Sequence, residues 1–175
     1  IVAGGSASGL TQIEAPDNLN PYAIGSLGNT RIALNKTIFE FLYLYNHNTG
    51  EQIPWLAESH TVAPDFKSVD VRLREGITWN DGVPFTSADV KFTLELLRDN
   101  QDMVFHGIIK ESVSSVSVVD DRNFRINFNK PNARFFFFHF VENSEIPLPI
   151  LPKHIWENED PMEFRNSDGI GTGPF

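Results

Sequence analysis

The chain has 175 residues, 41% of them hydrophobic and 21% charged, with 11 prolines; this balance supports at least one sizeable core and excludes a wholly disordered chain. A formal net charge of -9 repels nucleic acid and anionic lipid, so neither is expected as a partner. The absence of cysteine excludes a disulfide scaffold, thiolate zinc sites and a cysteine nucleophile, and no run approaches the ~20 apolar residues of a membrane span.

Ile1-Val2-Ala3-Gly4-Gly5 reads as a first strand reaching a turn. Neither the basic start nor the apolar core of a secretion leader is visible from Ile1 onward. Either a leader has been removed or there was none, and the numbering is expected to begin close to a mature N-terminus. Asp17-Asn18-Leu19-Asn20-Pro21 is a turn cluster, because Asn and Asp side chains bond nearby backbone and Pro21 biases Asn20 toward extended geometry. From Asn29, Ile32, Leu34, Ile38, Phe39 and Leu42 recur at a roughly helical period, which predicts an amphipathic helix over 29–42. Tyr43-Leu44-Tyr45 reads as a strand ending near Asn48-Thr49-Gly50.

Ile53 to Glu58 is apolar, but Pro54 argues against a central strand. Val69 to Arg74 alternates apolar and charged residues, the pattern of a half-buried strand. Trp79-Asn80-Asp81-Gly82 is a tight turn, and Thr86-Ser87-Ala88-Asp89 opens a helix that runs to about Arg98 with Val90, Leu94 and Leu97 as its buried stripe. Val113, Val116, Val118 and Val119 mark one strand and Phe124, Ile126 and Phe128 another, joined by the Asp120–Asn123 turn into a hairpin. Residues 133–141 read as a short buried helix, although Phe135-Phe136-Phe137-Phe138 fits a strand equally well. Three prolines, at 147, 149 and 152, then precede a short helix near His154 and Trp156. The closing Gly169-Ile170-Gly171-Thr172-Gly173-Pro174-Phe175 has the composition of a crossing between elements, so the chain is expected to be cut there.

The histidines at 47, 60, 106, 139 and 154 share no metal-ligand spacing, and no metal or cofactor is expected. No G-x-S-x-G elbow is present. Gly4 to Gly9 has neither the lysine nor the following helix of a phosphate cradle, although its glycines allow close approach of backbone to a ligand. The acidic pairs Glu58 with Asp65 and Glu142 with Glu145 read as solvated faces without acid-base pairing.

The informative constellation is an ordered series: Leu56-Ala57-Glu58-Ser59, Asp65, Val71 to Ile77, Trp79-Asn80-Asp81-Gly82, Pro84-Phe85-Thr86 and Ala88 to Thr93, flanked by Asn20-Pro21 and by Gly171-Thr172-Gly173-Pro174-Phe175. This series resembles the extracellular solute-binding proteins of family 5, the peptide-binding class, over nearly the whole chain. Departures are mild: His60 stands where an aromatic is common, and Ile170 where valine is frequent.

The resemblance implies an α+β (mixed α/β) chain with residues 1–42 starting lobe one of a periplasmic-binding-protein-like fold. Residues 43–165 would form an additional α/β subdomain and 166–175 the crossing back, with the second lobe beyond Phe175. It implies a binding protein that is not an enzyme, held outside the membrane, periplasmic or lipid-anchored. It would deliver its ligand to the permease of an ABC transporter and be a monomer in full-length form. Trp79, Gly76, Gly82, Thr86 and Asp89 would be architectural. Thr49 to Glu58 and Pro152 to Trp156 resemble members that bind β-linked oligosaccharides, and peptides remain an equal expectation. Ligand contacts are expected from the loop after the first strand, Gly5, Ser6 and Ala7, and from Phe105, His106 and Gly107 after the capped helix. The rival readings are a glycan-processing hydrolase and a stand-alone interaction domain.

Overall fold

A computed structural model describes residues 18–22, 36–142 and 147–173. Residues 36–38 make one helical turn. Then follow β1 (Tyr43–Asn46), β2 (Glu51–Pro54), β3 (Ala57–Val62), β4 (Ser68–Leu73), α1 (Ser87–Asp99), α2 (His106–Ser112), β5 (Val113–Val118), β6 (Asn123–Phe128), α3 (Phe135–Phe140), β7 (Val141–Glu142) and α4 (Lys153–Trp156).

The strands form two sheets. A four-stranded sheet has the order β3-β4-β6-β5, antiparallel throughout, and a three-stranded sheet has the order β2-β1-β7, with β1 and β7 parallel. Alternation builds the larger sheet. Val69, Val71 and Leu73 of β4 and Phe124, Ile126 and Phe128 of β6 point to one buried face. That face belongs to the same core as Val90, Leu94 and Leu97 of α1. On the opposite face Arg125 grips Asp70 with two hydrogen bonds of 2.6 and 2.8 Å; both side chains are half exposed, so the pair adds little stability.

Helix α1 starts where a capping box predicts. The Thr86 N–H donates to Asp89 Oδ2 at 2.8 Å, and the acidic Asp89 also suits the positive end of the helix dipole. Pro54 ends β2, an edge strand with all four residues exposed, as the missing N–H requires. Gly76 and Gly82 both have positive φ, the conformation that the turns on either side of Trp79 need.

One expectation changes and the structure adds detail to others. The helix expected over 29–42 does not reach Leu42: the backbone is helical only at 36–38 among the described part of that span, and residues 29–35 lie outside the described residues. Past residue 38 the backbone is used laterally, since the Leu42 carbonyl accepts the N–H groups of Trp55 and Ala57, each at 3.0 Å. Strand β5 buries Val113 and Val116; Val118 pairs opposite buried Phe124 yet is 41% exposed at the end of this edge strand, and Val119, one residue past it, is 73% exposed. The phenylalanine run is helical, with Phe135, Phe136 and Phe140 buried and Phe138 40% exposed. Strand β3 has no counterpart in the sequence reading, since only Ala57 of its six residues is fully buried and alternation is therefore faint. The first strand expected at Ile1 to Gly5 lies outside the described residues.

Candidate functional site

The loop between α1 and α2 is built from its ends. Helix α1 stops at Asn100, whose side-chain amide donates to the Leu96 carbonyl at 2.8 Å and occupies one of the acceptors a helix end leaves open. Met103 then buries its side chain, and its carbonyl accepts the His106 N–H at 3.2 Å. Phe105 lies between them in the left-handed region, φ 73°. For a bulky residue that conformation costs of order 1–3 kcal/mol and persists only when its surroundings enforce it.

Tyr22 packs against this residue. It is fully buried, its hydroxyl donates to the Pro149 carbonyl at 2.5 Å, and its ring meets Phe105 edge to face with centroids 6.2 Å apart. Tyr22 is fixed in turn by the expected Asn20-Pro21 turn. Buried Asn20 accepts the Tyr22 N–H at 2.8 Å and donates its side-chain amide to the carbonyls of Pro161 and Phe164 at 2.8 and 2.9 Å. The loop after α1 and the proline-rich 147–164 region therefore meet at the Asn20–Tyr22 segment.

His106 turns Nδ1 toward the Leu97 carbonyl at 3.1 Å. Carbonyl oxygen only accepts, so Nδ1 carries the proton in that contact and Nε2 of the neutral ring is the acceptor. Gly107 is exposed, and nothing lies within 4 Å of where a Cβ would stand. The structure brings Phe105, His106 and Gly107 together at the start of α2; Gly5, Ser6 and Ala7 lie outside the described residues.

Several concavities are formed by described residues, three of them sizeable. One of about 440 Å³ is lined by Ile155, Phe164 and Arg165 among others, one of about 410 Å³ lies over Arg72 and Asn123, and one of about 340 Å³ lies among Phe39, Glu40, Phe41 and Trp55. Phe105, His106 and Gly107 line none of these three. In the last, Trp55 is 38% exposed, its indole N–H donates to Glu40 Oε1 at 2.8 Å, and the Arg74 guanidinium lies 5.9 Å from its ring centre. The sequence reading took Trp55 only as part of a motif; no local pattern reveals that Glu40 would pin it.

The residues expected to be architectural occupy packing, turn and cap positions. Trp79 is buried against Phe85, with ring centres 5.2 Å apart. Asp89 is shared: besides capping α1 it accepts the Lys153 N–H at 2.9 Å. Burial pushes its carboxyl up, and the N–H donors of Thr86 and Lys153 offset only part of that. Asp81 has the opposite balance: burial raises it, but the hydrogen bond from His154 at 2.7 Å and the Val83 N–H together hold it below the usual carboxylate range. His60 stacks on Phe136 at 4.0 Å and 15°, which explains a histidine where an aromatic is expected. Among the described residues, no group of three or more His, Asp or Glu is placed to hold a metal ion. Among them also, no helix is long and apolar enough to cross a membrane.

The chain thus combines a four-stranded antiparallel sheet, a smaller mixed sheet and a capped helix, with a glycine-rich strip docked on the 37–38 backbone. The family model for bacterial extracellular solute-binding proteins, family 5, middle part, matches residues 51–175, and the chain belongs to this family. A Brucella ovis protein that carries the provisional name of an ABC transporter peptide-binding protein is 28% identical over 144 residues, covering 79% of this chain and 26% of its own. The periplasmic oligopeptide-binding protein of Thermotoga maritima superposes with a TM-score of 0.75 at 29% identity, over 91% of this chain and 28% of that one. Its mannohexaose-bound form gives 0.69 at 26% over the same shares, 91% and 28%. NikZ of Campylobacter jejuni, solved with Ni(L-His), gives 0.73 at 26% over 90% of this chain and 30% of its own. The chain spans about a quarter of the length of the curated relatives it matches.

Proposed function

We propose that this chain is part of the substrate-binding component of an ABC importer, which captures oligopeptides or oligosaccharides outside the membrane and hands them to a permease without chemical change. The observation that carries this reading is the family match over residues 51–175. The solved neighbours supply the ligand classes, one being an oligopeptide-binding protein also seen with mannohexaose. In this reading the full-length protein is a monomer, with residues 1–42 opening lobe one, 43–165 the additional subdomain and 166–175 the crossing.

Ligand contacts on this side of the cleft come from Gly5, Ser6 and Ala7 and from Phe105, His106 and Gly107. The left-handed backbone at Phe105 supports the second group, because strain that a fold goes to some length to enforce is concentrated at binding and switch positions. Open space at Gly107 and a free acceptor on His106 suit a ligand that donates a hydrogen bond, which peptide N–H and sugar hydroxyl groups both do.

The test is calorimetric titration of the full-length protein with peptides of about two to six residues and with β-linked oligosaccharides of similar length, sizes that fit a pocket of some 300–1,000 Å³. Saturable binding to one panel, weakened at least tenfold by His106→Ala with the melting temperature kept, establishes capture and names the class. Cleavage of the oligosaccharides would replace this reading with a hydrolase.

A further inference from the structure

The glycine-rich segment 169–173 is held on two sides. On one, Gly171 and Gly173 lie so close to the 37–38 backbone that an added Cβ would stand 2.1 Å from the Ile38 oxygen and 2.2 Å from the Thr37 oxygen. The Gly173 N–H donates to the Ile38 carbonyl at 2.8 Å, and Thr172 Oγ1 accepts the Glu40 N–H at 3.0 Å. On the other, Asn80 of the tight turn clasps the segment with backbone and side chain. Its N–H donates to the Gly171 carbonyl at 3.0 Å, its amide to the Gly169 carbonyl at 3.1 Å, and its Oδ1 accepts the Gly171 N–H at 3.4 Å. Asn166 braces the same strip end to end through both groups of Ile170, each at 3.2 Å.

We infer that residues 169–173 and Asn80 act together as a rigid clasp that fixes segment 37–40 to the four-stranded sheet, with Asn80 the positioning residue. The physical basis is that Gly171 and Gly173 are buried while residues 169, 170 and 172 are partly so, and buried backbone polar groups must be paired, so releasing one flank loosens the hydrogen bonds along the other. The neighbouring residue closes the assembly: Asp81 holds His154 of α4 at 2.7 Å, so one turn ties the strip and α4 to the same sheet. The consequence reaches the surface, because Glu40, whose N–H the strip holds, orients the Trp55 indole at the edge of the 340 Å³ groove. The clasp is independent of which ligand the protein takes.

The test is amide hydrogen exchange on the full-length protein and two variants. In Asn80→Ala, the Gly173 and Glu40 amides, neither of which contacts Asn80, should exchange about tenfold faster or more, while amides of β4 and β6 keep their protection. In Thr172→Val, which removes only the hydroxyl on the other flank, the amides of Asn80 and Gly171 should speed up, since coupling between two sides of one element is reciprocal. Acceleration confined to the amides each side chain touches would overturn the inference, and so would uniform acceleration throughout the sheet. If Asn80→Ala does not fold, the near-isosteric Thr172→Val decides alone.

Discussion

Gly171 has no room for a side chain, whereas Gly107 has open space around it. Alanine at the two positions should therefore separate packing from recognition. Gly171→Ala must displace the 37–38 backbone and is expected to cost several kcal/mol, read as a lower denaturant midpoint. Gly107→Ala should change stability by less than ~1 kcal/mol, while altering ligand affinity if the proposed contact is real. Thr86 is a third residue with a defined role: Thr86→Ala removes a helix cap and should cost about 1 kcal/mol in thermal unfolding. His60→Phe keeps the stack on Phe136 and should leave stability within ~1 kcal/mol.

At the level of elements, α1 anchors the larger sheet. Leu94 is completely buried, so Leu94→Ala should destabilise by about 2–5 kcal/mol, with the spread set by how far the cavity collapses. This helix, β4 and β6 were legible because their patterns are local: a Thr-x-x-Asp cap, a stripe at 3.6 residues and alternation at two. Elements with only partial burial were not. The stretch after residue 38 has helical apolar spacing, yet its Leu42 carbonyl bonds residues 55 and 57, a lateral use that no window of neighbouring residues reveals. Phe135 to Phe138 presents the converse ambiguity, since an unbroken apolar run has no period; the burial of Phe135, Phe136 and Phe140 around a helix turn resolves it.

For the whole molecule, buried histidine contributes to the acid limb of stability above the carboxylate range. Desolvation lowers His139 to about 4, and its Nδ1 has no hydrogen-bond partner; burial lowers His60 as well. An unfolded histidine takes its proton near pH 6.5, so between there and about 4 the unfolded state binds more protons and stability must fall as pH falls. For His139 alone the loss is at most roughly 3–4 kcal/mol. Asp81 adds a loss at still lower pH, as its carboxyl, held below the usual range, becomes protonated; Asp89, whose carboxyl is raised, works in the opposite sense just above its ordinary value. Denaturant midpoints from pH 7 to 4 should thus decline in the native protein and decline less in His139→Phe.

The sequence by itself determined the family, the six ordered blocks around Trp79, the capped helix and the hairpin, because each rests on residues within a few positions of one another and on motifs kept in order. It also placed Phe105, His106 and Gly107 in one loop. What only the tertiary structure decided are the properties with distant causes. The Phe105 ring meets Tyr22 edge to face, His60 becomes a stacking partner of Phe136, and the glycine strip lies against the carbonyls of Thr37 and Ile38. Those partners lie dozens of residues away in the chain, and close packing, which admits no gap and no unpaired polar group, selects them only when the elements come together.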